Sequence, residues 1–221
     1  MNTLLASLMS PAGGSGGSQL GILLFQFGAI ILIFYFLLIR PQSVARKKHA
    51  NLLGSPVLRQ QSAEVSEVDA EVRRFIDDLF ETMDAAKGVG LAANQVGVAT
   101  RVAVVGVEAE RLVLVNPVIV STEGRDRAEE GCLSIPEAYG DVTRPERIIL
   151  EAVGRDGTPY RKEASGLLAR ANQHEVDHLD GILFIDHLGA LKRQLLVARW
   201  KKEHRGEGVI KTIRPEHARP E

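Results

Sequence analysis

The chain has 221 residues, 45% of them hydrophobic and 25% charged, with a net charge of −1. That balance excludes a disordered chain, and a near-neutral total gives no electrostatic footprint for nucleic acid. One cysteine, Cys132, excludes an internal disulfide, so stability must come from a core; the residue itself is either a small buried apolar group or a nucleophile or ligand.

In chain order, residues 1–18 read as a flexible Gly/Ser-rich N-terminus. Residues 19–40 read as a transmembrane helix. From Leu20 to Ile39 the only clearly polar interruption is Gln26, and about 20 helical residues span the roughly 30 Å of a bilayer's hydrocarbon core. Tyr35 and Phe36 lie towards the end of the run, where an interface is expected. No basic region precedes the run and no small-x-small site follows it, which argues against a cleaved signal peptide. Arg40, Arg46, Lys47 and Lys48 follow it directly. The positive-inside rule therefore predicts a single-pass protein of the cytoplasmic membrane, N-terminus outside, with everything after residue 40 cytoplasmic. A lone thiol fits that reducing side.

Residues 41–52 form a basic junction, 53–205 a folded domain and 206–221 a flexible tail. In the domain, Val72, Phe75, Ile76, Leu79, Phe80 and Met83 recur at three- and four-residue spacing, which predicts a helix with one buried stripe, ended by Gly88 as C-cap. The Val-rich stretches 101–107, 111–120 and 147–153 predict strands. Residues 165–181 predict a second helix, with Ser165 as N-cap and Gly181 near its end, and about 190–203 a third. Strands in the middle with helices before and after predict an α+β fold rather than alternating βαβ units.

The second helix carries "HEVDH". On a helix, His174 and His178 share one face one turn apart, so both imidazoles reach one ion, and Glu175 points to the flank where a metal-bound water would sit. The bare pattern is compatible with a metal site and with a chance pair of histidines. His49, His187, His204 and His217 lack such spacing and read as surface or loop residues. Two further stretches bear on the choice: "EGCLSIPE" at 130–137 carries the cysteine, and "GVGLAANQVGV" at 88–98 combines three glycines with the amide of Gln95.

Together "GVGLAANQ", "EGCLS" and "HEVDH" resemble the three signature motifs of peptide deformylase, in the family's order, over roughly residues 53–205. The resemblance implies antiparallel sheets around a central HExxH helix and removal of the formyl group from N-formylmethionyl peptides. It implies Cys132, His174 and His178 as metal ligands and Glu175 as general base. Gln95 and the backbone N–H of Leu133 would stabilise the oxyanion. Val89, Gly90 and Gly131 match positions that line the substrate cleft, and Leu167 and Ala171 are candidates for the wall of the methionine pocket. Ligand type alone argues for Zn2+, whereas the resemblance implies Fe2+. Asp177 lies next to a ligand, and Arg144, which matches an arginine of the family, is expected to pair with Asp177 or Glu130. The bland alternative leaves Asp177 solvated on the outer face of the helix.

The N-terminal segment departs from the soluble family. Its apolar run and "RPQ" resemble the start of the YajC-type accessory subunit of the bacterial preprotein translocase, over about residues 10–50. That implies a membrane tether and a translocase partner. The basic stretch from Lys192 onward resembles the element by which some deformylases touch the ribosome, and it reads equally as a solvated helix face. Tyr139 stands where many relatives carry arginine, and Asn172 where an aliphatic residue is usual; either alters peptide preference, or Asn172 faces solvent. Two other readings stand beside a tethered deformylase: a zinc peptidase, which leaves "EGCLS" and "GLAANQ" unexplained, and a non-catalytic membrane adaptor that binds nascent chains near the translocase.

Overall fold

The computed structural model describes residues 55–204. The expected span at 20–39, its flanks at 1–18 and 41–52 and the tail at 206–221 lie outside them. Among the described residues no helix is long and apolar enough to cross a membrane.

Strands β1 (Gly90–Ala92), β2 (Val102–Val107), β3 (Glu110–Glu123), β6 (Arg147–Val153) and β7 (Pro159–Ser165) form one antiparallel sheet, in the order β1-β2-β3-β6-β7. β4 (Asp126–Cys132) and β5 (Ile135–Arg144) form a separate antiparallel ribbon. With the helices this is the expected α+β architecture.

Helix α1 (Ala70–Ala85) starts at Asp69, whose carboxylate accepts the N–H groups of Glu71 and Val72, each at 2.9 Å. This satisfies two of the donors that a helix start leaves open. Its predicted stripe is the buried one: Ile76, Leu79 and Met83 pack against Leu91, Val102 and Val104, with Val72, Phe75 and Phe80 at the margin. The C-terminus differs from expectation. The helix ends at Ala85 and the left-handed residue after it is Lys87, at φ 57°, not Gly88. A Cβ on Gly88 would lie 2.9 Å from the end of the Leu133 side chain, so a larger residue there would have to displace that leucine.

Helix α2 (Gly166–Leu179) packs against the large sheet. One face places Ala169, Val176 and Leu179 in a core with Val105, Leu114 and Leu150 of the large sheet. Its other side is joined to the ribbon through Arg170, which donates to the Val142 carbonyl at 3.1 Å. Ser165 holds the predicted N-cap position in extended conformation, but its side chain makes no capping bond. Gly181 adopts φ 76°, a conformation that favours glycine, as the chain turns out of the helix. Helix α3 (Ala190–Glu203) has its predicted bounds and packs Trp200 and Leu196 onto the ribbon and on Phe184 and Leu188.

Candidate active site

The helix and the ribbon bring three ligand types to one point. His174 and His178 project from α2, and Cys132 ends β4 just before the turn into β5. Cys132 Sγ lies 3.2 Å from His178 Nε2, which lies 3.2 Å from His174 Nε2, and the three atoms all fall within 4.8 Å of one another. Ligand atoms of a tetrahedral site with bonds of roughly 2.0–2.3 Å stand about 3.5 Å apart. The donor set therefore fits one divalent ion of the Cys/His-binding kind with shifts well under a bond length.

Charge within the cluster is already organised. Burial alone would push the Cys132 thiol up, but the imidazoles of His178 and His174 outweigh it and hold the thiol well below its ordinary range. Burial would likewise lower His174, yet its contacts with Cys132 and Glu130 push it up to about 10. The His174 ring is oriented from behind, with Nδ1 3.2 Å from Glu130 Oε2, which leaves Nε2 facing the cluster.

Glu175 is 3% exposed, and its Oε2 has no hydrogen-bond partner among the described residues. Burial, partly offset by His174 and His178, raises its carboxyl to about 7. A buried carboxylate beside a metal cluster, poised near neutrality, is suited to move a proton. It has space there only because residue 90 is glycine. Gln95 closes the other side. Its Oε1 accepts the Ala92 N–H at 2.7 Å, so its Nε2 points at the cluster, 3.5 Å from Cys132 Sγ and 3.3 Å from Ser134 Oγ.

The arrangement has close parallels. A family model described as polypeptide deformylase matches residues 48–194. The chain belongs to the polypeptide deformylase family. A peptide deformylase of Rhizobium meliloti (strain 1021) is 48% identical over 164 residues, covering 72% of this chain and 94% of that protein. One of Agrobacterium fabrum is 47% identical over 162 residues, 71% of this chain and 95% of that protein. Among solved structures, a peptide deformylase from Legionella pneumophila matches with TM-score 0.67 at 42% identity, covering 71% of this chain and 94% of that one. A peptide deformylase from Synechococcus elongatus in complex with actinonin matches with TM-score 0.65 at 43% identity, over 68% of this chain and 85% of that one.

Around the deformylase cluster runs a buried ring of charge. Arg144 is 4% exposed and donates to both expected partners: Nε to Glu130 at 2.6 Å and Nη1 to Asp177 at 2.7 Å. Burial would raise Glu130, but His174 and Arg144 hold it well below the usual carboxylate range. Asp177 is not solvated on an outer face. Burial would raise it too, but His187 and Arg144 hold it down.

One member of the ring escapes sequence reasoning. Arg170 donates to Glu130 at 2.5 Å and to Asp126 Oδ2 at 2.8 Å; its position one turn before His174, on the inward face of the helix, is the signal that could have found it. His187 is exposed, as expected of a surface residue, and its Nε2 lies 2.7 Å from Asp177.

The cleft before the cluster encloses about 420 Å³. Val89, Gly90, Gly131, Leu133, Leu167 and Ala171 all line it. Val89 and Leu167 are exposed there, whereas Gly90 and Ala171 are buried. Asn172 corrects an expectation: it neither faces solvent nor lines this cleft. It is fully buried, donating to the Leu168 carbonyl at 2.7 Å.

Proposed function

We propose that this peptide deformylase removes the N-terminal formyl group of formyl-methionyl nascent chains, with Glu175 as its general base. The observation that carries the reading is the convergence of Cys132 Sγ, His174 Nε2 and His178 Nε2 within 4.8 Å beside a buried carboxyl of pKa about 7.

Cys132, His174 and His178 would hold one divalent ion, ferrous iron by family likeness or zinc by ligand type, and when bound it supplies a Lewis acid that makes water acidic near neutral pH. Glu175 takes a proton from the attacking water and later delivers it to the leaving amine. The new C–O bond forms at the formyl carbon, the C–N bond breaks, and formate and a free amino terminus result. Gln95 Nε2 and the Leu133 N–H donate to the oxygen that gains charge, and losing one such donor costs about 3 kcal/mol of barrier. Val89, Gly90 and Gly131 receive the peptide as an added strand. Leu167 and Ala171 wall the methionine side chain.

The enzyme is tethered by residues 20–39, crossing the cytoplasmic membrane once with the N-terminus outside and the catalytic domain in the cytoplasm. The uncharged apolar run and the basic residues behind it support this. The basic residues of α3 support a ribosome contact, and the likeness of the N-terminal segment to a translocase subunit supports that partner. The adaptor reading is disfavoured, because every catalytic side chain is present.

Formate release from a formyl-Met peptide tests the chemistry, using full-length protein purified in detergent without oxygen and loaded with ferrous iron. Release by the wild type and its loss in Glu175→Ala is the expected result; a folded, metal-loaded wild type without release would refute it. Carbonate-resistant sedimentation with membranes, lost when residues 1–40 are deleted, tests the tether.

A further inference from the structure

One buried hydroxyl beside the cluster has no part in the chemistry above. Leu133 and Ser134 are the two residues between β4 and β5, at the tip of the ribbon, where Cys132 pairs with Ile135. Serine is common in turns, but there it is usually exposed. Ser134 is 1% exposed, and its side chain turns towards the cluster. Its Oγ lies 3.3 Å from Gln95 Nε2, and its backbone N–H lies 3.4 Å from Cys132 Sγ.

The Gln95 amide needs more than one anchor to act as a donor in a fixed direction. The last torsion of a glutamine side chain is broad and roughly two-fold, so the packing around it must choose the orientation. Gln95 is 2% exposed, and the Ala92 N–H, 2.7 Å from Oε1, decides which end of the amide is oxygen. That contact leaves the tilt of the Nε2 end open. Nε2 carries two protons, and two acceptors face it: Ser134 Oγ, and Cys132 Sγ at 3.5 Å. They are unequal, because sulfur is the weaker acceptor. The proton on the sulfur side is therefore the one that a substrate oxygen takes over, while the proton on Ser134 stays in place.

We propose that Ser134 is a positioning residue. By accepting one Nε2 proton of Gln95, it aims the other at the oxygen that gains charge at the formyl carbon. The inference rests on the deformylase reading above, in which Gln95 is an oxyanion donor. Such donors act because they are oriented before the reaction, and a hydrogen bond weakens steeply once it is bent. The tip of the ribbon then sets both donors. It supplies the Leu133 N–H directly and holds the Gln95 amide through the next side chain.

The test is a double-mutant cycle on the iron-loaded full-length protein, with kcat and KM measured on formyl-Met-Ala-Ser for the wild type, Ser134→Ala, Gln95→Ala and the double variant. Ser134→Ala should lower kcat about tenfold with KM within about twofold, since only the aim of a transition-state donor is lost. Gln95→Ala should lower kcat about 100-fold. In the Gln95→Ala background, Ser134→Ala should cost less than about twofold more, because no amide is left to aim. Bound metal should stay near one per chain throughout, as the backbone N–H at Cys132 Sγ is kept. Ser134→Gly, which relaxes the turn, replaces Ser134→Ala if the latter does not fold. An unchanged kcat in Ser134→Ala would overturn the proposal, as would the same tenfold loss in both backgrounds. A loss that follows metal content, or failure of both Ser134 variants to fold, would overturn it too, by making the hydroxyl structural. A wild type without turnover would overturn the deformylase reading and this inference with it; an active wild type with any of the other outcomes overturns the inference alone.

Discussion

Gly90 and Glu175 occupy one space: a Cβ on residue 90 would overlap the Glu175 carboxylate. The glycine of "GVGLAANQ" is therefore a condition for the glutamate of "HEVDH" to reach the cluster. Its backbone needs no unusual torsion; what it supplies is room.

Gly90→Ala should displace Glu175 by about an ångström and lower kcat about 100-fold. Cys132, His174 and His178 are untouched, so bound metal should stay near one per chain. Kinetics and metal analysis on the same preparation check this. Wild-type kcat in the variant would show that the carboxylate has other room.

Glu175 also sets a pH dependence of stability. Its carboxyl is raised from the ordinary 4.5 to about 7, so the folded state holds that proton more tightly than the unfolded one. The stability it lends is fully present below about pH 4.5 and is lost as pH rises through about 7. Chelator-treated wild type should lose roughly 3 kcal/mol relative to Glu175→Gln across that window. Urea denaturation of both proteins at pH 5 and pH 8 measures the difference. Parallel pH curves for the two would reject the buried, protonated carboxyl.

The buried ring predicts an asymmetry between two arginines. Arg144 bridges Glu130 and Asp177, and removing it leaves two buried carboxylates short of their partner. Arg144→Ala should cost about 3–5 kcal/mol of stability. It should also weaken metal binding by about 10–100-fold, because Glu130 orients His174. Arg170 shares Glu130 with Arg144, and its other carboxylate, Asp126, is more exposed. Arg170→Ala should therefore cost less on both counts. Denaturation and metal competition rank the pair, and equal losses would mean that the ring works as one unit.

The site was more legible in the sequence than the sheet that carries it. Its chemistry sits in three short motifs, each local in sequence, so Cys132, His174, Glu175, His178 and Gln95 could be named before their geometry was known. The three helices were legible from apolar spacing, and Val-rich β2, β3 and β6 from composition. β4 and β5 were not, because β4 reads "DRAEEGC" and its buried positions include Glu130 rather than an apolar residue. Period-two patterning sees hydrophobicity, and here a buried position of β4 holds a carboxylate whose partners, Arg144 and Arg170, lie elsewhere in the chain. The same long-range pairing hid Arg170.

Asn94 carries the last prediction. It is fully buried, and its Nδ2 meets the His178 carbonyl at the C-terminal turn of α2, tying that turn to the segment that holds Gln95. Its Oδ1 and the Nδ1 of His178 are both buried without a hydrogen-bond partner among the described residues. With Nε2 of His178 turned to the cluster as a ligand, Nδ1 carries the ring proton and needs an acceptor. Asn94 Oδ1 is an acceptor that lacks a donor, on an amide whose Nδ2 already donates to the carbonyl of the same residue. Asn94→Ala should then do more than loosen the turn: metal affinity should fall about tenfold and stability by about 1–3 kcal/mol. The visible spectrum of the cobalt-substituted protein, which reports ligand geometry directly, should shift. A stability loss with unchanged metal affinity and spectrum would reduce Asn94 to a packing residue that holds the helix and leaves the imidazole alone.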